Sequence, residues 1–276
     1  INEYDNQIIL TILFQKCWKS TTFELKQLKE VMKMLDKMPY CFTKEDIIFN
    51  FTNKFQFDNW LKTKIRNRQV KRIRNGLYVS LDSMNSINVT KYEIASKISK
   101  DSYIAYHSAL EYYGIANQVF NIMTVCSSTK FNTFEFEGIE YYCKQEKNYE
   151  QVNYIIEGNV RITTLERTIV DCIDNVGIAG GIDEVLNALE QITVLNEKKL
   201  LEALKSYNQI LLYQKVGYIL EQFQNELTLS DSFFEECKKH LTNQVKYFLN
   251  DEYSDIEYNS KWKLMAPKDV QIRIYN

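Results

Sequence analysis

Val70-Lys71-Arg72-Ile73-Arg74-Asn75-Gly76-Leu77-Tyr78-Val79 alternates apolar and polar residues on either side of Asn-Gly, the pair that fits a two-residue hairpin turn because both turn positions need positive φ. Two short strands are therefore predicted. Immediately upstream, residues 59–68 read as a helix with Asp58 as its cap; Leu61 and Ile65, with Trp60 beside them, face inward, and Lys62, Thr63, Arg66 and Asn67 stay in water. Further back, Thr43 is a plausible N-cap with Asp46 three residues on, and Ile47, Ile48 and Phe51 give the following short helix an apolar side. Helices are also expected over residues 8–18 and 23–38, the second stopped by Pro39. Helices followed by a hairpin are the plan of a winged helix-turn-helix.

The charge distribution fits that plan. Residues 1–85 carry 15 Lys and Arg against 9 Asp and Glu, whereas the remaining chain carries 19 against 27. Four of the seven arginines, Arg66, Arg68, Arg72 and Arg74, fall within nine residues, and from Asn59 to Leu81 there are seven cations and no acid. Such a run neutralises phosphates. In a helix-turn-helix the second helix shows side chains to base edges while the wing holds the backbone. Asn59, Lys62, Thr63 and Arg66 occupy the base-reading positions; Lys64 and Arg68 add positive charge, and Lys71, Arg72 and Arg74 are placed to hold phosphates.

The 276 residues, 45% apolar with only 8 Gly and 2 Pro, are enough for two folded domains and exclude disordered or collagen-like chains. No apolar run approaches the roughly 20 residues of a membrane-spanning helix. Glu3 and Asp5, with no basic residue before Lys16, have the wrong polarity for a signal peptide, and the six scattered cysteines contain no CxxC pair, so a reduced cytoplasmic setting is expected. The polar stretch 83–90 places a domain boundary near residue 88, giving a head of residues 1–88 and a body of residues 89–276.

In the body, helices are expected over 91–99 and 105–113, a strand over 119–126, a hairpin with arms 133–137 and 139–145, and a strand over 160–163. A helix capped by Thr163 or Thr164 then runs to Asp174, and from Gly180-Gly181 the chain turns mostly helical over 182–192, 197–207, 210–225 and 231–241. The fold class expected is α+β: an N-terminal winged helix-turn-helix, then a larger mixed α/β domain with a small sheet and a helical C-terminal part.

Catalytic chemistry finds little support in the sequence. His107 and Glu111, at i and i+4, could hold a metal beside Cys126 or Cys143, but no second His joins them, and a capping or structural role is the simpler reading. There is no phosphate loop, GxSxG or HExxH. Helix, three strands and helix over residues 103–175 is also the order of restriction-type nuclease cores, and the hairpin supplies Glu135, Glu137, Glu140 and Lys144, yet no Glu-x-Lys. No catalytic set, metal or cofactor is therefore assigned. Glu166, Arg167 and Asp171 form a charged trio at a helix start, readable as a salt-bridged cap or as a binding edge.

Several blocks resemble the AbiEi family: Gly76-Leu77-Tyr78-Val79; Ser102-Tyr103-Ile104-Ala105-Tyr106-His107-Ser108-Ala109-Leu110-Glu111 with Gly114; Val160-Arg161-Ile162-Thr163-Thr164-Leu165-Glu166-Arg167-Thr168-Ile169-Val170-Asp171; and Gly217-Tyr218-Ile219-Leu220-Glu221. They run in order over residues 43–225. The resemblance implies the antitoxin of an abortive-infection toxin-antitoxin pair of type IV. Its winged-helix head would repress its own operon by binding double-stranded operator DNA. Its body would counteract a nucleotidyltransferase-like toxin without a stable complex, with His107, Glu111, Glu166, Arg167 and Asp171 as candidates for that functional surface. The alternatives are a stand-alone winged-helix regulator with a ligand- or partner-sensing body, and a restriction-type nuclease.

Overall fold

The computed structural model describes residues 40–81, 87, 89–146, 153–248 and 256–267. The helices expected over 8–18 and 23–38 lie outside them. By its contacts the chain divides into two compact units, residues 1–71 with 78–88 and residues 72–77 with 89–276. Its class is α+β.

Strand β1 (Cys41–Thr43) leads into the one-turn helix α1 (Lys44–Ile47), a 3-10 turn at Ile48–Asn50, helix α2 (Lys54–Arg66) and the hairpin of β2 (Val70–Arg74) and β3 (Leu77–Ser80), whose tip, residues 72–77, is assigned to the second unit. The sheet order is β1-β3-β2. Thr43 starts α1 as expected, its N–H donating to Asp46 Oδ2 at 2.7 Å. Only Gly76 of the Asn-Gly pair takes positive φ, +83°, where a side chain would be strained; Asn75 does not, so the turn departs from the expected pair of positive φ angles.

Helix α2 corrects the sequence reading. It begins at Lys54, not Asn59, because Asn53 Oδ1 accepts the Gln56 N–H at 3.0 Å while Gln56 Oε1 accepts from the Thr52 N–H. Asp58 is thus an interior residue. Phe57 and Leu61 carry the inward stripe into a core with Phe42, Ile47, Val70 and Tyr78, and the half-buried Trp60 packs on its edge. That core ends at Leu61. Ile65, one turn further, is 39% exposed, contrary to its expected inward position.

The second unit holds a six-stranded sheet of order β6-β7-β5-β4-β9-β8, built from β4 (Tyr103–Ile104), β5 (Ile122–Ser127), β6 (Phe134–Phe136), β7 (Ile139–Gln145), β8 (Tyr154–Glu157) and β9 (Val160–Thr163). The β5/β7 and β4/β9 pairs are parallel, and the other neighbours antiparallel. Helix α3 (Lys91–Lys97), opened by a Thr90–Glu93 capping box, packs on β4, β5 and β9, and α4 (His107–Tyr112) packs on β5. The strand expected over 119–126 is shifted to Ile122–Ser127, leaving Val119 80% exposed. Strand β8, absent from the sequence reading, forms the sheet edge.

Helix α5 (Leu165–Asp174) is the hub of this unit. Residues Glu166 through Ile173 are all buried, and α4, α6 (Ile182–Glu190), α7 (Glu197–Tyr207) and α8 (Ile210–Glu221) pack around it. Each fully buried Ile or Val on it contributes about 1.5–3 kcal/mol. Beyond α8 and α9 (Asp231–Lys238), the region left unassigned from sequence forms a second sheet of order β10-β12-β11, from β10 (Lys246–Tyr247), β11 (Ile256–Asn259) and β12 (Leu264–Pro267). Gln214, fully buried on α8, donates from its amide to the carbonyls of Trp262 and Lys263, both at 3.0 Å, and of Gln244 at 3.5 Å. The Tyr218 hydroxyl donates to the Pro267 carbonyl, and Trp262 Nε1 to Glu221. The Trp262 ring lies flat on Gly217, where a Cβ would come within 2.1 Å of it.

Candidate functional site

On α2 the spacing i, i+3, i+4, i+7 brings Asn59, Lys62, Thr63 and Arg66 onto one stripe, and all four are exposed. Thr63 turns its hydroxyl back onto the helix, donating to the Asn59 carbonyl at 2.9 Å. Lys64 is half-buried on the neighbouring face, and Arg68 is exposed just past the helix end with φ +57°. Among the described residues none of Lys62, Lys64, Arg66 and Arg68 forms an ion pair. Lys71 and Arg72 are exposed on β2. Arg72 is held across the turn, Nη2 donating to Asn75 Oδ1 at 2.8 Å and Nε to the Arg74 carbonyl at 3.2 Å. Arg74 departs from expectation: its guanidinium stacks over Phe131 and Phe134, 5.3 and 5.2 Å from their ring centres, with Nη1 buried and without a hydrogen bond. It is a packed cation rather than an open one.

A second polar site grows from the start of α5. Thr164 caps the helix by accepting the Arg167 N–H, which sets Arg167 in the first turn and Asp171 one turn on. Both are buried, at 3% and 2% exposure. Asp171 Oδ1 accepts from Arg167 Nε at 2.5 Å and from the Tyr207 hydroxyl at 2.7 Å, Arg167 Nη1 donates to Ser206 Oγ at 2.6 Å, and the guanidinium lies 4.3 Å from the Tyr207 ring centre. Burial opposes the charge on Arg167, but the adjacent Asp171 carboxylate more than offsets it and holds the guanidinium firmly protonated. Burial also pushes the phenols of Tyr106 and Tyr207 far above their ordinary range, so both remain donors; Tyr106 bonds Tyr207 in turn. Tyr106, Arg167, Ser206 and Tyr207 line a cavity of about 260 Å³, to which Lys144 and Glu146 at the end of β7, and Asp174 at the end of α5, contribute charges. Burial raises the Asp174 carboxyl, with Lys215 and Lys144 pulling it down.

The body residues expected at a functional surface are therefore mostly interior. Glu166 is 7% exposed and accepts the Asn196 N–H at 3.2 Å, joining α5 to the start of α7. His107 is 2% exposed, and its Nε2 lies 3.2 Å from Glu184 Oε1, which also accepts the N–H groups of Asn117 and Gln118 at 2.7 and 3.1 Å. Burial lowers the His107 pKa against the pull of Glu184. Glu111 is directed elsewhere, to Lys91 at 2.7 Å, so the His107–Glu111 pair is not assembled. Among the described residues no three His, Cys, Asp or Glu side chains are grouped to hold a metal. Glu135, Glu137 and Glu140 stand exposed on the β6–β7 hairpin, and of the nuclease candidates Lys144 alone lines the cavity.

Tyr207, Glu184, Lys144 and Asp174 were not assigned to a site from sequence. Glu184 looks like an ordinary acid in a first helical turn, and Tyr207 like the end of an amphipathic stripe; their partners lie 77 and 36 residues away.

No family model matches the chain, and no curated protein matches it. Among solved structures it is similar to the crystal structure of the RV2827C protein from Mycobacterium tuberculosis, with a TM-score of 0.59 at 10% identity over 89% of this chain and 92% of that one. What the two chains share is the fold.

Proposed function

We propose that this chain is a non-enzymatic, cytoplasmic DNA-binding antitoxin of the AbiEi type, which represses its own operon and counteracts a nucleotidyltransferase-like toxin without forming a stable complex with it. The carrying observation is the exposed cationic stripe on α2, continued by the hairpin: Asn59, Lys62, Thr63 and Arg66 share one face, and no acid interrupts the run from Asn59 to Leu81. In this reading the first unit is a winged helix, α2 enters the major groove, and Arg68, Lys71 and Arg72 hold phosphates. The body supplies toxin counteraction, a role supported by the resemblance of its sequence blocks to that family.

The decisive experiment is gel retardation of the full chain on its own promoter DNA beside growth rescue on co-expression with the neighbouring toxin gene. Promoter-specific retardation with rescue supports the reading. Absence of retardation removes the repressor half, and retardation without rescue leaves a regulator only. The polar cavity favours that second reading, a regulator whose body senses a small molecule.

A further inference from the structure

We infer that the cavity between α5, α7 and the end of β7 is a binding site for a small zwitterion of free amino acid size, its carboxylate held by Arg167 and Lys144 and its ammonium by Asp174. The inference concerns the cavity alone and stands or falls separately from operator binding.

Arg167 is a prepared anion receptor. Asp171 fixes Nε, Ser206 fixes Nη1, and Tyr207 covers the face of the guanidinium, whereas Nη2 makes no hydrogen bond among the described residues. Arg167 lines the cavity with a rigid, permanently charged fork, and the side chain loses little entropy when it binds. Lys144 adds a second cation on the same wall space. A dianion such as phosphate is disfavoured, because Asp174 and Glu146 line the same cavity and would face it. Opposite charges lining one cavity instead complement a ligand that carries both signs. Size narrows the class further: about 260 Å³ falls below the roughly 300–1,000 Å³ of drug-sized sites. The wall is also built under strain, since Tyr106 holds φ +56° with its ring in the lining, a conformation that a bulky residue adopts only where its surroundings enforce it.

The test is isothermal calorimetry of the full chain against each protein amino acid, with inorganic phosphate as the simple anion. Saturable binding of at least one amino acid is expected, with its decarboxylated amine and its N-acetyl derivative each about tenfold weaker or worse. Lys144→Ala and Asp174→Asn, at half-buried positions and checked for unchanged melting, should each weaken that amino acid by about tenfold. In the unaltered protein, amide NMR shifts should move at residues 144–146 and 206–209. Absence of binding by every amino acid, tighter binding of phosphate, unchanged affinity in both folded variants, or shifts confined to other regions would each overturn the assignment.

Discussion

Arg167 shows how far burial changes the meaning of a charged residue. As an i, i+4 surface pair with Asp171 it would contribute a few tenths of a kcal/mol. Buried, with Tyr207 and Ser206 attached, it cannot be removed so lightly. Arg167→Ala strands the Asp171 carboxylate and is expected to cost about 3–5 kcal/mol in chemical denaturation, while Arg167→Met combined with Asp171→Leu returns part of that because no charge is then left alone. A single variant that melts like the parent would refute the buried network. On α2 the exposed residues divide differently: under the proposed operator binding, Arg66→Ala should lower operator affinity by about 1–3 kcal/mol and relax sequence preference, whereas Arg68→Ala should weaken operator and random DNA alike. Competition binding with both DNAs separates the two. His107 contributes to acid behaviour. Burial places its folded pKa below the ordinary 6.5, so the unfolded chain binds more protons in between; the stabilisation is complete above pH 6.5 and is lost as pH falls through the folded pKa. Melting temperature against pH should show a shallower acid limb in His107→Gln than in the parent.

Among elements, α8 depends most on a single small residue. Gly217→Ala drives a methyl into the Trp262 ring, and because that ring is fully buried the clash cannot relax outward. A loss of about 1–3 kcal/mol is expected, partly recovered by Trp262→Leu, as thermal melts of the single and double variants would show. Elements also mark where sequence was readable. Helix α7 falls at the residues expected for it, and α5 begins after Thr164, one of its two expected caps; both helices start on local side-chain caps, Asn196 and Thr164. Helix α2 began five residues early because its cap is Asn53 with Gln56, a box written in amides rather than Ser or Thr and Glu. Strands β10 to β12 had no local signal: β10 and β11 pair with β12 from opposite sides, and α8 fixes the sheet through side chains 41 to 49 residues away.

At the scale of the whole molecule, the charge asymmetry between residues 1–85 and the rest was legible in composition, but the polar cavity was not, because its walls come from four segments distant in sequence. If about five exposed cations of the first unit meet phosphates, the logarithm of operator affinity should fall against the logarithm of salt concentration with a slope of about −4.5. Fluorescence anisotropy across a salt series measures it; a flat response would remove phosphate neutralisation as the source of binding. The clamp of Gln214 on the carbonyls of residues 244, 262 and 263 bears on how the chain is made. While it emerges from a ribosome, α8 is complete long before its amide's acceptors exist, so the Gln214 amide lacks its partners at residues 262 and 263 until about 50 further residues have followed. A nascent chain arrested before residue 262 is therefore expected to be more protease-sensitive at α8 than the chain carrying β11 and β12.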